Sequence, residues 1–344
     1  MSGLAWGMSE FVPPATYRAL RVFAEGDSVR REVVDVPWDS LPDHDVTVRV
    51  SHSSLNYKDA LSATGNRGVS RNYPHTPGID AAGTVVASRD PRFAPGDEVL
   101  CTGYDLGMDT PGGLAEYVRT PGDWLVKRPA GLAARDAMAL GTAGFTAALA
   151  VDRMKQAGAT PELGPAVVTG ASGGVGTMAV ALLADAGYEV VASTGKPGAA
   201  GLLELLGAAS IAAREELSAR SERPLLKARY AGGIDTVGGD TLAGLIKSTA
   251  IGGAVAACGL VGGAELSLTV LPFILRGVAL MGVDSQHAPA AVRTAIWDRL
   301  AGDARLRSLL AHGELVRVVG LEELEPRILD TLAGLAVGRV VVKL

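Results

Sequence analysis

The stretch that most limits how this chain can fold is PAVVTGASGGVG at 165–176, followed at once by the apolar, helix-length run 178–186. A short apolar strand, a turn of glycines and a helix, in that order, bring the end of a strand against the first turn of a helix. There the unpaired backbone N–H groups and the positive helix end face the same way, which suits a pyrophosphate or a similar anion. Ala171 stands where the full G-x-G-x-x-G spacing has its first glycine, so the surrounding sequence has to carry the assignment. Short strand-like runs recur at 166–169, 189–193, 234–237, 254–257 and 279–283, with helix-length segments between them. Strand–helix repetition of this kind predicts a parallel, doubly wound sheet, and it makes the glycine turn a dinucleotide site rather than an ordinary tight turn.

The sequence before about residue 127 has a different texture. Runs at 19–23, 45–51, 81–88 and 98–102 alternate or are rich in β-branched residues, with turn residues between them, which predicts an all-β region. After residue 284 come a helix at 289–301, a strand at 316–319, a helix near 324–334 and a last strand at 339–344, which we expect to return to the β-rich part. A chain of 344 residues is long enough for two cores. The expected layout is a loose extension at 1–16, a β-rich catalytic domain built from 17–141 and 286–344, and a nucleotide-binding domain at 142–285.

Several function classes are excluded by composition. A net charge of −5 and the lack of a dense basic run argue against a nucleic-acid partner. The longest uncharged apolar stretch, 137–151, is shorter than the roughly 20 residues that span a bilayer, and 266–283 is interrupted by Pro272 and Arg276. Residues 1–15 have no basic start followed by an apolar run and so do not read as a secretory signal. Cys101 and Cys258 are too few for a disulfide framework and read as packed thiols of a cytoplasmic protein. A small-molecule substrate is the expected partner.

The end of the strand after the glycine turn selects the cofactor. An acidic residue there would hold the ribose hydroxyls of NAD, whereas a 2′-phosphate calls for donors and positive charge. The segment reads Ser193, Thr194, Gly195, Lys196, with a cation and no acid, which points to NADPH.

The motifs SSLNYKD at 53–59, PGID at 77–80, GDEV at 96–99, GGLAEY at 112–117, GTAGFT at 141–146 and ASGGVG at 171–176 occur in that order. Together they resemble the quinone-oxidoreductase branch of the medium-chain dehydrogenases. IDTVG at 234–238, AACGL at 256–260, LPFILR at 271–276, GVDS at 282–285 and GRVVVK at 338–343 are similar to the acrylyl-CoA reductase subgroup of that branch. The resemblance implies a GroES-like β-rich domain, a Rossmann domain, NADPH as hydride donor and a homodimer. Carried over motif by motif, it implies NADP contacts at Tyr57, at Ser172, Gly173, Gly174 and Val175, and at Thr194, Gly195 and Lys196. It also implies contacts at Arg214, Leu260, Ile274, Ser285 and Arg339. The family usually has Arg at the position of Lys196, and Lys is a point charge without a bidentate fork. Zinc-dependent relatives carry Gly-His-Glu where this chain has Gly78, Ile79 and Asp80. With His44, His52, His75, His287 and His312 scattered and only two distant cysteines, no metal site is expected.

Without a strong Lewis acid, hydride addition to a conjugated carbonyl is an easier reaction than alcohol oxidation, because the carbonyl takes up the charge as an enolate. Tyr57 is the candidate catalytic residue, either touching the nicotinamide end or donating a proton. Asn56 and Asp59 are read as fixing its loop by bonds to nearby backbone, and Arg67, Arg71 and Arg276 as ordinary surface charges in preference to partners for the phosphates of a coenzyme A thioester. The expected reaction is reduction of acrylyl-CoA or a similar short enoyl thioester. The alternatives are reduction of quinones or free enals, and a non-catalytic NADPH-binding sensor.

Overall fold

The computed structural model describes residues 11–26 and 28–344 of the chain. It begins with a hairpin of β1 (Thr16–Glu25) and β2 (Ser28–Pro37), then β3 (Val46–Leu55), α1 (Tyr57–Ala63), β4 (Asp80–Ser88), β5 (Glu98–Thr102), β6 (Tyr117–Thr120) and β7 (Leu125–Lys127). The long α2 (Ala134–Gln156) leads into β8 (Ala166–Thr169), α3 (Gly174–Asp185), β9 (Val190–Thr194), α4 (Ala200–Leu205), β10 (Ala208–Ala213) and α5 (Glu215–Ser218). There follow β11 (Tyr230–Asp235), α6 (Gly239–Lys247), β12 (Thr249–Ala257), α7 (Leu271–Arg276) and β13 (Ala279–Gly282). The chain ends with α8 (Ala290–Gly302), α9 (Ala304–Leu310), β14 (Val316–Val319), α10 (Leu324–Leu332) and β15 (Arg339–Lys343).

Two sheets result. One has the order β14-β15-β3-β4-β5-β7, with β6 also on β3, and is antiparallel except for the β14–β15 pair. The other has the order β10-β9-β8-β11-β12-β13 and is parallel throughout. Its central strands β8 and β11 are buried at every residue, as a sheet covered on both faces requires. Residues after 284 do return to the first sheet, through β14 and β15. Of the expected extension, residues 1–10 lie outside the described part; Phe11 packs beside Trp38, with ring centroids 5.6 Å apart, and Thr16 already pairs with Pro37.

The strand expected at 234–237 runs instead from Tyr230 to Asp235. Its start was hidden by Gly232 and Gly233, which are needed because any side chain there would run into the backbone of the neighbouring strands. The tight end at Thr236 and Val237 is a turn, in which Thr236 donates to Thr169 O at 2.8 Å.

Helix α2 runs from the β-rich part into the main apolar core, where Phe145 stacks on the fully buried Trp297. It breaks at Gly141, whose φ of 51° and ψ of −156° only glycine adopts without strain. The carboxylate of Asp80 fills the break, accepting from Thr142 N at 3.0 Å and Thr142 Oγ1 at 2.6 Å, and so caps the second half of the helix.

Candidate active site

The glycine turn forms as its sequence requires. Strand β8 ends at Thr169, Gly170 has a φ of 59°, and Gly173 is the N-cap of α3 without any side-chain cap. The first N–H groups of a twelve-residue helix are therefore free for a ligand. A side chain at Gly176 would overlap the backbone of Gly170 and Ala171, so glycine there lets the helix close onto the strand end. Ser172 is buried and its hydroxyl shares a 2.9 Å hydrogen bond with Thr194, which ties the turn to the end of β9.

Lys196 and Arg214 converge beyond Thr194. The Arg214 guanidinium lies over Gly195, in the space a side chain would occupy. The Lys196 ammonium donates to Ala336 O at 2.5 Å, in the loop between α10 and β15. Burial, and then the charge of Arg214, hold the Lys196 ammonium below the ordinary lysine value. Two cations of like sign at a strand end, facing among the described residues no closer carboxylate than Glu215 at 4.0 Å from Arg214, are placed to receive an anion.

Arg339, which the resemblance had set among the cofactor contacts, is 3% exposed and lies beneath the first turn of α3, its Nη1 3.0 Å from where a Gly174 side chain would begin. Its Nε donates to Ala139 O at 2.9 Å, Nη1 to Asn56 Oδ1 at 3.1 Å and Nη2 to Ser54 Oγ at 2.9 Å, with Asp80 at 3.9 Å. It is first of all a strut joining β15, α2, β3 and the start of α1. Asp80 also accepts from Ser54 at 2.6 Å and from Asn56 Nδ2 at 2.9 Å.

The sequence reading put Tyr57 in a loop, but residues 57–63 are helical. The reason is a cap: Asp59 Oδ2 accepts from Asn56 N at 2.7 Å, and Asp59 Oδ1 accepts from Ile79 N at 2.8 Å. Asp59 thus fixes this segment through the Asn56 and Ile79 backbone. Asn56 does so through the side chains of Ser54, Asp59, Asp80 and Arg339 rather than the nearby backbone expected, and Tyr57 opens the helix 38% exposed. Burial, and then the charge of Asp80, push the Asp59 carboxyl up to about 7.

The remaining expected contacts are spread out. Ser285 accepts from Thr146 Oγ1 at 2.8 Å, Leu260 sits against Gly238 at the end of β11, and Ile274 is 68% exposed on α7. Arg71 pairs with Asp109, and Arg276 donates to Lys247 O and Thr249 O at the end of α6. Burial pushes both cysteine thiols up to about 12, so neither is a ready thiolate.

Two charged residues of this region were not singled out from the sequence. Lys58 donates to Gln286 Oε1 at 2.7 Å, and the buried Arg293 holds Thr102 O, Ser285 O and Gln286 O at 2.7, 3.0 and 3.2 Å. Their partners lie 7 to 228 positions away, and no local pattern announces them.

Among the described residues no three His, Cys, Asp or Glu side chains stand together as a metal would require. Ile79 is 4% exposed and apolar.

An antiparallel β domain joined to a six-stranded parallel sheet, with a bare helix N-terminus and two cations beside it, defines the nucleotide-dependent dehydrogenase class. Residues 42–130 match the alcohol dehydrogenase GroES-like domain model and residues 174–301 the zinc-binding dehydrogenase model. The chain is 47% identical to the putative quinone oxidoreductase YhfP of Bacillus subtilis, over 95% of this chain and 99% of that one. The crystal structure of YhfP with NAD bound matches with a TM-score of 0.91 over 96% of this chain and 100% of the other. The acrylyl-CoA reductase AcuI of Ruegeria pomeroyi is 46% identical over 92% of this chain and 96% of its own. The yhdH oxidoreductase of Salmonella enterica in complex with NADP has a TM-score of 0.91 at 47% identity, over 95% of this chain and 99% of the other. The chain belongs to the medium-chain dehydrogenase/reductase superfamily, on the branch of these quinone oxidoreductases and acrylyl-CoA reductases.

Proposed function

We propose that the chain is an NADPH-dependent reductase of an activated carbon–carbon double bond that acts without zinc, with acrylyl-CoA as the acceptor to try first. The observation that carries the cofactor is the pair Lys196 and Arg214 around Gly195, where an acid would serve NAD. The choice of acceptor leans on the 46% identity to an acrylyl-CoA reductase. The comparable identity to a putative quinone oxidoreductase keeps quinones and enals as the second reading.

The residues fit the cofactor. Gly174 and Val175 would offer backbone N–H groups to a pyrophosphate, while the Gly173 N–H already donates to Gly170 O at 2.9 Å and shapes the turn; Ser172 and Thr194 would offer hydroxyls, and Lys196 and Arg214 charge to a 2′-phosphate. When bound, NADPH supplies the hydride. Tyr57 lines the acceptor side, and the Arg339–Asp80–Asn56 network sets its helix against the first turn of α3. Ile79 puts an apolar side chain where zinc relatives carry a ligand, which leaves charge stabilisation to hydrogen-bond donors. The reading also includes a homodimer in the cytoplasm and a nucleotide domain at 142–285. Among the described residues no helix is long and apolar enough to cross a membrane.

The test is NADPH consumption by the purified protein with acrylyl-CoA, crotonyl-CoA, a simple quinone and acrolein in parallel. Turnover of acrylyl-CoA is expected. Activity on the quinone alone would move the assignment to the second reading, and no activity on any acceptor would leave a sensor.

A further inference from the structure

Lys58 has no task in the reading above, yet it occupies a costly place. Its ammonium is partly buried against Gln286 Oε1 at 2.7 Å and the Met108 sulfur at 3.8 Å, both neutral partners. Asp59 on its own helix and Asp284 on the segment opposite are the charged groups that face it, and neither reaches it as an ion pair. An ammonium moved out of water without a carboxylate is a net cost to the fold.

The residue that accepts from Lys58 is anchored through its backbone. Gln286 accepts at its carbonyl from Arg293 at 3.2 Å and Tyr104 N at 3.3 Å, and its own N–H donates to Asp284 at 3.0 Å. Lys58 directly follows Tyr57, and Asn56 before them is tied to Arg339 under the glycine turn. The ammonium therefore lies between α1 and the return segment at 285–286, beside Met108. One of its three N–H bonds is committed to Gln286.

We propose that Lys58 is the acid of this site: its Nζ hydrogen-bonds the carbonyl oxygen of the conjugated acceptor and gives up one proton to complete the reduction. The proposal rests on the reductase reading. Hydride addition from NADPH forms the new C–H bond at the β-carbon, and the π electrons of the double bond move to the α-carbon and carbonyl oxygen as an enolate. The Nζ–H bond then breaks, nitrogen keeps its electron pair, and the proton forms the new C–H bond at the α-carbon as the enolate returns to a carbonyl. The neutral amine recovers a proton from water. A full positive charge beside the growing negative charge is what such a step needs. Burial holds the Lys58 ammonium below the ordinary lysine value, which makes it a readier donor.

The experiment measures NADPH oxidation with acrylyl-CoA across pH for wild type, Lys58→Met, Lys58→Arg and Tyr57→Phe, with NADPH affinity titrated by fluorescence in each. Lys58→Met should lose about a hundredfold or more in kcat while NADPH affinity stays within about threefold. Wild-type kcat should fall as pH rises through the Lys58 pKa, on a limb that begins below the ordinary lysine value. Lys58→Arg should lack that limb, because a guanidinium keeps its proton. Lys58→Met within about threefold of wild-type turnover overturns the proposal, as does loss of the alkaline limb in Tyr57→Phe alone. A wild-type protein that binds NADPH but turns over no acceptor overturns the reductase reading itself, and the role of Lys58 falls with it.

Discussion

Lys196 follows the end of β9 and Arg214 the end of β10, with the Arg214 guanidinium over Gly195, and both are proposed above to meet a 2′-phosphate. A charge-assisted hydrogen bond contributes roughly 1.5 to 3 kcal/mol. Lys196→Ala should therefore weaken NADPH by about one to two decades and leave NADH nearly unchanged, as read by fluorescence titration of both. Equal losses for the two cofactors would mean that Lys196 meets no phosphate. At Ile79 the expectation is equally direct. An apolar side chain cannot ligate, so dialysis against a strong chelator should leave the rate of NADPH oxidation unchanged, and a loss that zinc restores would refute this. The position of Lys196 was legible in the sequence because strand order fixes where the second strand ends. The setting of Arg339 was not, since its partners at Ser54, Asn56 and Ala139 are 200 to 285 positions away.

Among the elements, the buried strands and the amphipathic helices were legible and the charged or short ones were not. Strand β2 was missed because an edge partner of β1 can expose Arg30, Glu32 and Asp35, which breaks no rule of burial but gives no apolar run. Helix α1 was missed because seven residues are held by a cap and not by periodicity. That cap gives a pH test. Burial raises the Asp59 carboxyl to about 7, whereas in the unfolded chain an Asp titrates near ~3.9. A proton held more tightly in the folded state stabilises the fold fully below the unfolded pKa, and the contribution disappears as pH rises through the folded one. Asp59→Asn has no such proton. The advantage of wild type over Asp59→Asn in urea unfolding should therefore shrink between pH 4 and pH 7 and stay level above, by up to about 1.4 kcal/mol per pH unit. An advantage that grows over this range would show that Asp59 is ionised in the fold.

For the whole molecule, the parallel sheet ends among the described residues in two open edge strands, β10 at one end and β13 at the other. Strand β13 is bonded only to β12, and beside it Val270, the N-cap of α7, and Ile274 and Leu275 on α7 are 64%, 68% and 60% exposed. Leu260 and Val261, in the loop after β12, are 63% and 56% exposed. An open edge strand presents a row of unpaired N–H and C=O groups, and clustered apolar side chains beside it favour a partner surface over water. A second copy related by a two-fold axis would bring β13 against β13 and cover both α7 faces at once. Light scattering should then give about twice the 35.2 kDa chain mass. Val270→Glu combined with Leu275→Glu places two like charges on each copy of that face and should yield monomers, because facing carboxylates repel and lose their water on association. The variant must keep its far-ultraviolet circular dichroism, since neither side chain supports the core. A wild-type monomer, or an unaltered dimer in the folded double variant, would put the assembly surface elsewhere.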